Sequence, residues 1–270
     1  MKQCIWLVKL VIVITITLYG ESSYAQVFVG PKVGFQASQA IFEDKSNLDE
    51  LDVDPVLGYS LGAVVAFKIR KSFFLHTEYI YSRKGKQIKG TSDPLLDHRV
   101  VYDHFDIPIL LRTNFKSKVG GSRFFDWFVL AGPNVSYWLG GRGEIASSEL
   151  IEQDFNFINY TIAFEEQGED IEVFGLTDVN RLQLGLNLGF GVAFEPSPLE
   201  QLVLDFRVEI GHTFIGSNEQ SNLPVVLLDY RDDLRATNNA LKISLAYVFG
   251  FKPEESKKGK STNKFRPKRK

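Results

Sequence analysis

Four histidines are the residues of this 270-residue chain best suited to move protons near neutral pH. His76 and His212 stand alone in apolar segments, as packed or interfacial histidines do. His98 and His104 lie close to Asp97, Asp103 and Asp106. His98, His104 and Asp103 at the outer end of a strand would make the rim site of an outer-membrane hydrolase. A base and nucleophile also need hydrogen-bond geometry and a third, orienting group, which spacing alone does not supply. No nucleophile elbow, zinc-protease helix, phosphate loop or dinucleotide fingerprint accompanies them. The expectation is therefore a non-enzymatic protein with no catalytic, cofactor-binding or metal-binding residues. The hydrolase is the alternative.

A second constellation is electrostatic. Lys32, Lys68, Arg112, Arg207 and Lys242 fall on the same strand faces as Glu78, Asp106, Asp126, Glu195, Asp205 and Glu209. Charges held away from water must be paired or hydrated, so these residues would form a salt-bridged plug inside a barrel. A narrow ion path is the other possibility, and the small lumen of eight strands favours the plug.

The elements that position these residues alternate with a period of two, the mark of strands with unlike faces. Val27, Val29, Pro31, Val33 and Phe35 form one apolar face. Leu57 to Ile69, Phe73 to Tyr81, Val101 to Leu111 and Trp127 to Tyr137 repeat the pattern on alternate residues. The clearest case is Leu182, Leu184, Leu186, Leu188, Phe190, Val192 and Phe194 against Gln183, Gly185, Asn187, Gly189, Gly191, Ala193 and Glu195. Leu202 to Ile210 and Leu241 to Phe251 bring the strands to eight. No later segment resembles a spanning helix, so passage through a membrane requires a barrel.

The connections alternate in length. Short ones lie at Arg70-Lys71, Lys116 to Ser122 and Pro196 to Glu200; long ones at Ser38 to Pro55, Arg83 to His98, Gly140 to Asp178 and Gly216 to Asn239. That asymmetry describes an outer-membrane barrel with short periplasmic turns. Small residues and charges suit its narrow interior, while Leu, Phe and Tyr suit lipid, and Tyr59, Tyr79, Tyr81, Trp127, Tyr137, Tyr247, Phe249 and Phe251 suit its interfaces. A soluble exported barrel is the fold alternative. The expected fold is all-β: an eight-stranded antiparallel up-and-down transmembrane β-barrel with a disordered basic C-terminal tail, located in the cell outer membrane.

The ends complete this organisation. Met1 to Ala25 has a positive start, a short apolar core and Ser23-Tyr24-Ala25 before Gln26, as a cleaved secretory signal does. Cys4 lies within it, so the mature chain has no disulfide and no thiolate chemistry. The domains are then a signal at 1–25, a barrel at 26–251 and a tail at 252–270. The formal charge of −2 hides an acidic body and a tail with nine Lys or Arg residues. Beyond membrane lipid, the tail would take a periplasmic protein or another acidic partner. Export excludes nucleic acid, and no feature sets an oligomeric state. Ten acidic residues between Glu144 and Asp178 suggest a solvated loop. Arg83, Lys84, Lys86 and Lys89 are placed to meet lipid phosphates.

Several local motifs carry a resemblance. Gly30-Pro31-Lys32-Val33-Gly34-Phe35, Gly58-Tyr59-Ser60-Leu61-Gly62, Glu78 to Gly85, Phe105 to Arg112 and Ala131-Gly132-Pro133 resemble the PorT-like outer-membrane β-barrel family of Bacteroidota across nearly all of 26–251. The resemblance implies a small envelope barrel. Some relatives in that grouping are associated with type IX secretion, and many have no assigned role. Such barrels commonly end on an aromatic residue of the last strand. Here the basic tail follows, so Phe249 or Phe251 would serve that role internally.

Overall fold

The computed structural model describes residues 26–43, 51–91, 93–119, 123–164, 170, 172–197, 199–217, 222–223 and 232–251. The expected signal and the basic tail lie outside these residues. The elements, in chain order, are β1 (Gln26–Phe42), β2 (Leu51–Arg70), β3 (Phe73–Gly90), β4 (Asp97–Val119), β5 (Arg123–Ala146), α1 (Ser148–Glu152), β6 (Ile158–Ala163), β7 (Val173–Gly175), β8 (Leu182–Ser197), β9 (Glu200–Gly211), β10 (Asn222–Leu223), β11 (Asp232–Asp233) and β12 (Ala236–Phe251).

Eight strands form a closed ring in the order β1, β2, β3, β4, β5, β8, β9 and β12, with β12 returning to β1. Each ring pairing is antiparallel. Closure matters because it leaves no edge of unpaired N–H and C=O groups. The period-two faces follow the alternation of the sequence. Val33, Phe35, Leu57, Leu61, Ile109, Leu111, Leu186, Leu188 and Leu245 are exposed on the outside. Lys32, Glu78, Asp106, Arg112, Asn134, Asn187, Asp205 and Arg207 are buried inside.

The strands run further than the alternation indicates. β3 reaches Gly90 and β4 starts at Asp97, so the connection expected at 83–98 shrinks to residues 91–96. β1 and β2 likewise absorb most of the connection expected at 38–55. The basic run Arg83-Lys84-Gly85-Lys86 lacks apolar alternates, yet it is held by pairing to Val100–Asp103. Tertiary hydrogen bonding overrides a weak local strand signal here.

One irregularity redirects β5. His104 pairs with Trp138 and Asp103 with Gly140, leaving Leu139 as an extra residue. Gly140 adopts φ 157° at this bulge, a conformation that costs glycine little. The inserted residue exchanges the two faces of the strand. Below it Tyr137 and Leu139 point outward; above it Arg142 and Glu144 do, while Ile145 turns in. Pairing of β5 with β8 stops at Tyr137 and Leu182, and from Gly141 to Ile145 its partner is β6. β7 adds to β6 in parallel. The result is a sheet extension beyond the ring, sealed by an aromatic-rich core that includes Tyr102, Trp138, Ile145, Leu150, Tyr160 and Phe174.

Candidate functional site

The interior of the ring has three layers. At the end of the short turns, Phe28, Val64, Phe74, Leu110, Phe128 and Val203 pack into an apolar plug. The Arg112 guanidinium lies 3.9 Å from the Phe128 ring centre and 5.3 Å from that of Phe74, a cation–π arrangement. Arg112 also donates through Nε to Asn114 Oδ1 (2.8 Å), whose Nδ2 donates to Asp126 (3.1 Å). The predicted Arg112 and Asp126 are thus joined through Asn114 rather than directly.

Two ion-pair clusters fill the middle layer. In the first, Lys32 Nζ lies 2.8 Å from Glu78 and 2.7 Å from Asp205. Arg207 grips Glu78 with both terminal nitrogens, at 3.0 and 2.5 Å, and its Nε is 2.7 Å from Asp205. His76 Nε2 is 2.7 Å from Glu78, and Ser244 donates to Asp205 at 2.9 Å. In the second cluster Lys84 reaches Asp106 (3.1 Å) and Glu209 (2.5 Å), while Lys242 reaches the same carboxylates at 3.3 and 2.5 Å. Ser82 and Ser136 both donate to Asp106. Four cations therefore face four carboxylates. Charge balance and multiple hydrogen bonds are the conditions under which buried ions are tolerated.

At the opposite end the aromatic-rich core closes the third layer. Between the layers, the voids beside the clusters measure only ≈ 20 Å³ and ≈ 10 Å³, about the space of one water molecule.

Several expected site residues take other positions. Glu195 is exposed at the turn end and accepts from Gln201 at 3.0 Å, so it stands apart from both clusters. Lys68 sits at that same end, 5.8 Å from the Phe74 ring centre. Lys84 and Lys86 are buried in the interior rather than aimed at lipid. Lys84 shares the parity of Glu78, Ile80 and Ser82, and extending that alternation by one step would have placed it inside. His76 carries the same signal.

The candidate rim residues do not converge. His98 and His104 are fully buried and point inward; His98 Nε2 is 2.6 Å from the Tyr160 hydroxyl, and His104 stacks at 6.4 Å on Trp138. Asp103 faces outward, accepting from the Tyr81 hydroxyl (2.6 Å) and from Arg83 Nε (3.1 Å). The expected rim is displaced because β3 and β4 continue past it. Among the described residues, no group of three or more His, Cys, Asp or Glu side chains is arranged to hold a metal ion.

A ring of strands with an apolar outside and a charge-paired inside is the architecture of an outer-membrane β-barrel. Residues 22–213 match the family model for the outer membrane protein beta-barrel domain, and the chain belongs to that family. It resides in the outer membrane. A search of the curated proteins gives no match. Among solved structures the chain is similar to the outer membrane protein OprG from Pseudomonas aeruginosa, at 10% identity and a TM-score of 0.46 over 85% of this chain and 97% of that one. It is also similar to Neisserial surface protein A, at 14% identity and a TM-score of 0.38, covering 83% and 97%. A third is Ail, the attachment invasion locus protein of Yersinia pestis, at 11% identity and a TM-score of 0.32, covering 83% and 98%.

Proposed function

We propose that this protein is a non-enzymatic, sealed barrel that serves a structural or partner-binding role in the cell envelope. The carrying observation is the three-layered interior: apolar plug, paired charges, aromatic core. A path for ions would need a continuous aqueous route, whereas the lumen voids hold about one water each. With the interior filled, recognition belongs to the surfaces outside the ring. Long β4 and β5 support one of these, the extension built from α1, β6 and β7.

The finer affiliation that fits the motifs is the PorT-like group of Bacteroidota. On this reading both chain ends of the barrel lie in the periplasm with the short turns. The basic segment 252–270 would then meet a periplasmic protein or another acidic partner.

Planar-bilayer recording tests the seal. The purified full chain is expected to insert without discrete conductance steps at moderate voltage, and reproducible steps would replace the sealed scaffold by the narrow channel. Affinity capture from native envelopes, with and without residues 252–270, tests the tail. A partner held only by the longer form supports the periplasmic role; the same partners on both forms remove it. Purified barrel with His98 and His104 both substituted addresses hydrolysis: lipid or peptide cleavage by the parent, lost in the variant, would favour the hydrolase.

A further inference from the structure

The outer face of the extension contains a concavity of ≈ 430 Å³, whose lining includes the polar side chains of Arg99, Arg142, Glu144, Asn159, Thr161 and Glu172. Its construction follows from the register. Arg99, Glu144 and Asn159 lie in one row across β4, β5 and β6, and Val101, Arg142 and Thr161 in the next. The Leu139 bulge turns Arg142 and Glu144 outward. On the reverse side Tyr160 covers Gly143 so closely that a Cβ there would come within 2.3 Å of its ring. Arg99 and Arg142 are exposed, and among the described residues neither has a carboxylate within ion-pair distance.

The position of this groove is as informative as its lining. Tyr59, Tyr81 and Tyr137 face outward at the loop end of the apolar belt, where interfacial aromatics sit. Arg83 lies over Tyr59 at 5.4 Å, and Arg181 lies over Tyr137 at 4.8 Å. Phe105 pairs with Tyr137 at this level, and Val101 pairs with Arg142 four residues further along β4. Four to six tilted strand residues raise Arg142 and Arg99 roughly 10–15 Å above the aromatic rim. The groove opens sideways there, over the surrounding leaflet.

From this placement and chemistry we infer that the groove formed by β4, β5 and β6 binds the phosphorylated sugar headgroup of outer-leaflet glycolipid. Guanidinium forks suit phosphate oxygens, while Glu144, Glu172, Asn159 and Thr161 offer acceptors and donors to sugar hydroxyls. The two carboxylates also act against a bare anion, so a sugar phosphate is favoured over free phosphate. Arg181, held by its stacking over Tyr137 and Phe164, adds a cation nearer the bilayer.

The test uses the full chain, folded in a non-ionic detergent and immobilised, with purified lipopolysaccharide as probe. The Arg99→Ala/Arg142→Ala variant is expected to retain at least about tenfold less lipopolysaccharide, a size that follows from losing charge-assisted hydrogen bonds. Chemically dephosphorylated lipopolysaccharide is expected to bind the parent with a similar loss. Millimolar inorganic phosphate should leave binding of the intact lipid unchanged. Heat-modifiable migration on gels verifies the folded barrel, and the single variants carry the test if the double variant does not fold. Equal retention by a folded variant, equal binding of the dephosphorylated lipid, or displacement by inorganic phosphate would overturn the inference. Each of these outcomes is independent of the sealed lumen.

Discussion

At the scale of single residues, Glu78 is the pivot of the interior because its two oxygens take Lys32, both terminal nitrogens of Arg207 and His76. Removing it leaves two cations to share Asp205 in a space with little room for water. Breaking a buried ion pair from one side costs about 3–5 kcal/mol, since the remaining charge has lost its compensation. Glu78→Met is therefore expected to destabilise the barrel by about that amount in urea unfolding from lipid vesicles. Lys32→Met combined with Glu78→Met removes one charge of each sign and leaves Arg207 with Asp205. The double variant should be more stable than Glu78→Met alone. If the losses simply add, Lys32 and Glu78 are not coupled, and the cluster as described is wrong.

At the scale of elements, the extension beyond the ring is fastened by a small set of polar contacts. The Asp93 carboxylate accepts from the Ser148 N–H (3.1 Å) and hydroxyl (2.8 Å) at the start of α1, and from the Leu95 N–H (3.0 Å). Partial burial raises the proton affinity of this carboxyl, but these hydrogen bonds outweigh it, and the value lies below the ordinary aspartate range. A folded value lower than the unfolded one contributes stability that is fully present above the unfolded value. That contribution is lost as pH falls through the lowered folded value. Amide exchange at Leu95 and Ser148 should accordingly lose protection on acidification, beyond the ordinary pH dependence of exchange. In Asp93→Ala the protection should be low throughout, with no acid transition; an unchanged transition would place the titrating group elsewhere. The same region shows where sequence reading stops. Alternation reveals the ring strands and their faces because Leu, Val and Phe recur on every second residue of β8, β9 and β12. It also supplies Lys32, Glu78, Asp106, Asp205 and Arg207 as interior residues. It does not reveal the face exchange at Leu139, since one inserted residue leaves no compositional trace. Nor does it extend β3 through Arg83-Lys84-Gly85-Lys86, where pairing to β4 rather than apolar content maintains the strand. For that reason Lys84, His98 and His104 lie inside the barrel rather than at its lipid face or rim.

At the scale of the whole molecule, the outward surface carries its own measure of the membrane. On β5 the outward residues run from Trp127 to Tyr137, and their neighbours on β4 are Phe115 and Phe105. Ten residues span about 33 Å along a strand, or about 25 Å of height at a tilt near 40°. That equals the apolar band of an outer-membrane barrel, with Phe115 and Trp127 stacked at 4.3 Å on one rim and Tyr137 on the other. The depth of any outward side chain then follows from register alone. Ile109 lies near the middle of the band, while Leu182 is opposite Tyr137 at the loop-end rim. Both are outward and well exposed, at 46% and 58%, so burial within the protein does not separate them. Lipid depth does. Ile109→Arg is expected to cost about 2–4 kcal/mol and Leu182→Arg about 0–1 kcal/mol, the range between midplane and interface. Equilibrium unfolding in vesicles of one composition reads the difference directly. Equal costs at the two sites would mean that the band lies elsewhere along β5. In that case Arg99 and Arg142 would lose their position at the headgroup layer.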